Sequence, residues 1–152
     1  MKTRLTKEVL EGFLSKLGPL AGGFGGAPVP TLLSCDSEAM SIRLSYDLAD
    51  WMVNPWGVVH GGLITTLVDS AFGMLACCAN GGTICPTISL TSNFLSSVTT
   101  KYPVIIEAKV DRFGRVAAHL SAECWQNGKL TNTASGVFST ASPRGTISEL
   151  LP

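Results

Sequence analysis

Charge is what this sequence has least of. Only 14% of its 152 residues are charged, against about 25% in an ordinary soluble chain. Lysine plus arginine and aspartate plus glutamate balance at 11 each. No overall field therefore draws the chain to nucleic acid or to an acidic membrane surface. Histidine is scarce too: His60 and His119 stand alone, with no H-x-x-x-H pattern, so no protein-built metal site is expected. The five cysteines, Cys35, Cys77, Cys78, Cys85 and Cys124, are odd in number and lack C-x-x-C spacing. Reduced thiols in a cytoplasmic protein are the plain expectation. The first residues, MKTRLTKEVLEGF, have no apolar signal-peptide core. The glycine-rich stretch LAGGFGGAPVP lacks the Gly-Lys-Ser/Thr and the following helix of a phosphate loop, so it reads as a linker. There is no internal repeat and no heptad pattern.

What is present is apolar: 45% of residues are hydrophobic, enough for the core of one domain. So little charge on a small chain predicts that part of its surface is buried against other copies, as a homodimer or homotetramer. The densest information lies in NPWGVVHGGLITTLVDSAFGMLACCAN, from Asn54 to Asn80. Paired glycines, Gly61 and Gly62, open a predicted helix whose first N–H groups have no internal partner and face outward to an electron-rich oxygen. The helix is apolar round most of its circumference, with a single ionisable group, Asp69. A carboxylate in such a setting is costly unless satisfied or used. Gly61 to Ala79 approaches membrane-spanning length, but the glycine pair, Asp69 and the missing basic flank favour a buried core helix.

Around that helix the chain alternates. Residues 5–17 space apolar side chains at helical intervals and end at Gly18-Pro19. Thr31–Cys35 and Ala39–Asp47 read as two strands about a turn at Asp36-Ser37. Four more alternating segments follow: Ile84–Leu95, Val104–Asp111, Val116–Gln126 and Thr131–Thr140. Turns are expected at Phe113-Gly114 and at Asn127-Gly128. In the first of these four, Thr87, Ser89, Thr91 and Asn93 alternate with Ile88, Leu90 and Phe94. Short turns predict an antiparallel sheet, and a sheet curled round one apolar helix is an α+β solution to burying both.

The order of elements and the motif Asn54-x-x-Gly57-x-x-His60-Gly61-Gly62-x4-Leu67-x-Asp69-x-Ala71 resemble the hotdog-fold acyl-CoA thioesterases of the phenylacetate-degradation and 4-hydroxybenzoyl-CoA types. The similarity covers roughly residues 30–140. It implies a hotdog fold of five to six antiparallel strands about a long central helix. Residues 31–141 would form that domain, after a helix and linker at 1–30 and before a tail at 142–152. It also implies hydrolysis of an aryl or medium-chain acyl-CoA, with coenzyme A as part of the substrate and no separate cofactor.

Gly61 and Asp69 are eight residues apart, about 12 Å along one helix. A single aspartate cannot bridge that gap to a carbonyl held at Gly61. If both act on one thioester they must come from two chains, as two antiparallel helices across a two-fold axis would allow. The Gly61 N–H would polarise the carbonyl. Asp69 would act as general base on water or as nucleophile.

Asn54 is either a positioning group or a turn residue before Pro55. His60 either shapes the loop or contacts the thioester, and Gly62 either permits close packing or lends a donor. Thr87 matches a position where relatives carry a hydroxyl beside the acid. Gly73, one turn past Asp69, lacks the hydroxyl some relatives place there, which shifts weight to Thr87. Arg115 matches a Gly-Arg turn of the family; with Arg112 and Lys101 it is a candidate for the coenzyme A phosphates. Ser96-Ser97 depart from the basic residue and proline that often follow that strand. Trp51, Trp56, Phe72 and Met74 are candidates for an acyl pocket. Two other functions stay open: a hotdog 3-hydroxyacyl thioester dehydratase and a non-catalytic acyl-CoA-binding module.

Overall fold

The apolar run becomes a 19-residue helix, and the alternating segments become a sheet that curls about it. The computed structural model describes residues 5–20, 28–141 and 145–146. The linker stretch 21–27 and most of the expected tail fall outside the described residues. In chain order the elements are α1 (Lys7–Leu20), β1 (Thr31–Asp36), β2 (Ser41–Tyr46), α2 (Gly61–Ala79), β3 (Thr87–Phe94), β4 (Val104–Phe113), β5 (Ala117–Gln126) and β6 (Lys129–Ser139). A short 3-10 turn at Asp50–Met52 precedes α2. Helix α1 runs through Gly18-Pro19 to Leu20; a proline withholds its own N–H without undoing the turns before it.

The strands form one six-stranded antiparallel sheet in the order β1-β2-β4-β5-β6-β3. The hairpins at β1–β2, β4–β5 and β5–β6 match their turn signals. Asn127 and Gly128 take φ of 48° and 75°, the left-handed pair a two-residue hairpin demands. The short turn expected between successive strands is absent after β3. That strand pairs with β6 at the sheet's edge, and residues 95–103 carry the chain back to β4 beside β2. That stretch is a crossing, not a turn, and β6 offered the free edge where the chain leaves α2.

Ile64, Leu67, Val68, Ala71, Phe72, Leu75 and Ala76 of α2 are buried against Leu44, Ile106, Leu120 and Phe138 of the sheet. Phe72 and Phe138 meet edge to face, ring centroids 6.0 Å apart, the arrangement that aromatic quadrupoles favour. The helix is therefore core rather than a membrane span. It is not wrapped on all sides, however. Gly62, Thr66, Asp69, Ser70 and Gly73 make a stripe that one chain leaves open or half-open. The hydroxyls of Thr65, Thr66 and Ser70 each bond the carbonyl four residues back, at 2.9–3.0 Å, so the polar groups of that stripe are held along the helix.

Candidate active site

Asp69 lies on the open stripe, half-buried rather than enclosed. Its Oδ1 accepts a hydrogen bond from Thr87 Oγ1 at 2.7 Å. Strict alternation would place Thr87 on the outer face with Ser89, Thr91 and Asn93. A register shift between Thr87 and Ser89 inserts Ile88 as an extra residue, so Thr87 pairs with buried Phe138 while Ser89 pairs with Val137. This bulge turns Thr87 inward to the acid, the re-aiming that bulges commonly provide. Ile88 is left 60% exposed.

Gly61 sits two turns away and sees a different environment. It borders a cavity of ≈390 Å³ that Asn54, Phe94, Val98 and Asn132 also line. A Cβ on Gly61 would stand 2.9 Å from the Phe94 ring, so only glycine fits without a shift. His60, the residue before the helix, donates its N–H to Met52 O and accepts at its carbonyl from Leu63 and Ile64. Its side chain is exposed and caps nothing. Asn54 is held by its loop: Oδ1 accepts from Trp56 N at 3.0 Å and Val58 N at 3.3 Å, while its backbone bonds Val58 and Gly57. The turn role is thus realised. Asn54 also lines the cavity, and its loop holds the entry to α2 in place.

The chain brings Asp69 to Thr87, and Gly61 to Asn54, but leaves the two groups on separate turns of α2. Gly62 is exposed, and a Cβ added there would meet nothing within 4 Å, so no packing inside this chain requires it. Arg112 pairs with His119 on the face turned away from α2. Arg115 occupies the β4–β5 turn, at the same end of the sheet as Thr87, because Ala118 and Thr87 both pair with Phe138. Both arginines and Lys101 are exposed. Phe72 and Met74 are core, while Trp51 and Trp56 are 50% and 85% exposed; none of the four borders the cavity. Sequence reading missed Asn132, a buried residue of the cavity wall that looked like one more polar residue in Thr131-Asn132-Thr133.

At the far end of α2, Cys85 N–H donates to Cys77 Sγ at 3.3 Å. Hydrogen bonding from the Cys85 side chain, helped by that N–H and opposed by burial, brings the Cys77 thiol down to about 7. Burial pushes neighbouring Cys78 up to about 12. Among the described residues no three His, Cys, Asp or Glu side chains converge in a way that would hold a metal ion. A larger depression of ≈530 Å³ lies across the outer face by the Arg43–Glu107 ion pair, and contains none of the groups above.

Residues 57–131 match the family model described as the thioesterase superfamily. Acyl-coenzyme A thioesterase 13 of Mus musculus is 26% identical over 106 residues, 70% of each chain. A thioesterase-like, phenylacetic acid degradation-related protein from Ralstonia eutropha JMP134 superposes with a TM-score of 0.74 at 27% identity. That match covers 86% of this chain and 98% of the other. A Streptococcus mutans UA159 protein solved with acetyl CoA gives 0.66 at 19% identity, over 72% and 86% of the chains; it speaks for the fold alone. The architecture is the hotdog fold.

Proposed function

We infer, from the match of residues 57–131 to the thioesterase superfamily model, an enzyme that hydrolyses acyl-CoA thioesters. The observation that carries the residue assignment is the Thr87–Asp69 bond on the open stripe of α2. It holds Oδ1 in place and leaves Oδ2 to take a proton. Asp69 is read as general base: it removes a proton from water, whose oxygen attacks the thioester carbon. The Gly61 N–H, in the first turn of α2 and reinforced by the helix dipole, steadies the carbonyl oxygen as it gains charge. Collapse of that adduct breaks the C–S bond, and the thiolate of coenzyme A leaves.

Gly61 and Asp69 on one helix are about 12 Å apart, so the site needs a second copy of the chain. Three features support one. The stripe of α2 bearing Asp69 is open. Strand β3 is an unpaired edge in a single chain. Ile88, Phe94 and Leu95 along it are 54–60% exposed, a combination that soluble monomers avoid. Each two-fold pair would hold two sites, Gly61 of one copy facing Asp69 of the other. Arg115, and less directly Arg112, stand for the coenzyme A phosphates. Five unpaired cysteines fit a cytoplasmic setting.

Subunit complementation tests this. Asp69→Ala and Gly61→Val chains, each inactive alone, are unfolded and refolded together. Mixed dimers keep one intact site, so random pairing restores about a quarter of wild-type thiol release. Recovery no greater than that of the two variants refolded separately would refute a shared site.

A further inference from the structure

Two thiols meet at the end of α2 opposite Gly61. Cys77 lies in the last turn of the helix, and Cys85 follows it across the turn at 80–84. Cys77 Sγ accepts the Cys85 N–H at 3.3 Å and a hydrogen bond from the Cys85 thiol. Cys85 Sγ stands 3.4 Å from Thr83 O and accepts from Asn80 Nδ2 at 3.4 Å. A thiol that merely fills an apolar core needs no such donors. The carbonyls of Ala76, Cys77 and Cys78, which give this helix end its negative charge, accept from the N–H groups of Asn80, Gly81 and Gly82. That blunts the dipole which would otherwise oppose a thiolate there.

The two sulfurs are thereby made unlike. The hydrogen bond from the Cys85 thiol, helped by its N–H, draws Cys77 down to about 7 against burial. Giving that bond, together with burial, pushes Cys85 up. Burial raises Cys35, Cys78 and Cys124 as well. Cys77 and Cys85 also keep 7% and 4% exposure, where Cys78 has 2% and Cys124 none. A molecule the size of water therefore reaches the first pair sooner. We propose that Cys77 and Cys85 form a peroxide-reactive dithiol, with Cys77 as the attacking sulfur and Cys85 as the resolving one. The Cys77 thiolate attacks one oxygen of hydrogen peroxide, and the S–O bond forms as the O–O bond breaks. The Cys85 thiol gives its proton to the departing oxygen, which leaves as water. The Cys85 thiolate so formed attacks the sulfenic sulfur of Cys77; the S–S bond forms and hydroxide leaves. The two sulfurs lose the two electrons that the peroxide gains. None of these steps draws on thioester hydrolysis.

The reduced full-length protein is treated with a slight excess of hydrogen peroxide near neutral pH, and its thiols are counted after denaturation. The five free cysteines of each chain should fall by two, and a reducing dithiol should restore them. Mass-spectrometric fragmentation should place the bond between Cys77 and Cys85, and Cys78→Ala should still lose two thiols. Under brief exposure Cys77 should react at least about fivefold faster than any other cysteine, because its larger thiolate fraction outweighs its lower nucleophilicity. In Cys85→Ser the resolving sulfur is gone, so sulfenic acid accumulates at Cys77 and is trapped by a cyclic dione. The proposal is overturned if all five thiols survive, if the bond joins any other pair, or if oxidation spreads evenly over the cysteines. Absence of trapped sulfenic acid at Cys77 in folded Cys85→Ser overturns it too. Should that variant misfold, the mapped bond and the relative rates in the wild type decide alone.

Discussion

Two parts of one helix, its first turn and its third, differ in almost every physical respect. At the start of the first turn two residues carry no side chain: Gly61 borders a cavity and lies against the Phe94 ring. At the third, a carboxylate stands on an open stripe, steadied by Thr87. One end is suited to stabilise charge that develops on oxygen, the other to supply or take up a proton. A rigid helix keeps them about 12 Å apart. If both groups act on one thioester, the rod that orders each half also keeps them from meeting within one chain, and association becomes a condition of catalysis.

The sharpest way to break this division is at the acid. Asp69→Ala removes the base while leaving the buried face of α2 untouched. The variant is expected to fold and associate like the wild type, yet to lose about 100-fold or more in thiol release from acyl-CoA. Equal turnover would take Asp69 out of the mechanism. Next in size is its support. Thr87→Val deletes the 2.7 Å bond, and a hydrogen bond to an ionised group contributes about 1.5–3 kcal/mol. A fall in kcat of roughly 10-fold or more is expected, with Thr87→Ser restoring most of it. If valine and serine behave alike in kcat and in the pH profile, the hydroxyl does not hold the base.

A smaller effect belongs to the loop before the first turn. Asn54→Ala takes away the acceptor for two backbone N–H groups, costing about 1–2 kcal/mol of stability. Because the loop leads into α2, KM and kcat should both worsen modestly, alongside a measurable drop in denaturation midpoint. An unchanged midpoint would mean that the turn holds itself without the side chain. The smallest effect is a control at the other end of the helix. In Cys85→Ala the hydrogen bonds that bring the Cys77 thiol down to about 7 are lost in part. Cys77 therefore titrates at higher pH, followed by thiolate absorbance. Hydrolysis stays within about twofold, since neither cysteine touches the substrate. A large loss of activity there would show the helix behaving as one unit rather than as separate turns.

Much of this was legible in one dimension. The helix spans Gly61–Ala79 as the apolar run indicated, and Asn127-Gly128 makes the hairpin its residue types require. The motif from Asn54 to Ala71 pointed to the family. Thr87 was legible only through that likeness, since period-two alternation set it on the wrong face; the bulge that corrects it is a register choice between β3 and β6. The place of β3 at the edge was equally hidden, because its turn signals could not say which strand would have a free side. Asn132 looked like any polar residue of an alternating strand until the sheet closed over it.

Local chemistry thus settled which segments coil and which extend, where the chain reverses, and which residue types sit at the mouth and middle of the long helix. Those properties depend on neighbours within a few positions: apolar spacing, glycine's freedom at positive φ, and the unpaired donors of a first turn. Contacts across the chain decided the rest, namely strand order, the inward turn of Thr87, the half-open stripe around Asp69 and the sealed amide of Asn132. Each depends on groups tens of residues apart competing for the same space and the same hydrogen bonds, and such competition has an outcome only once the sheet has curled about its helix.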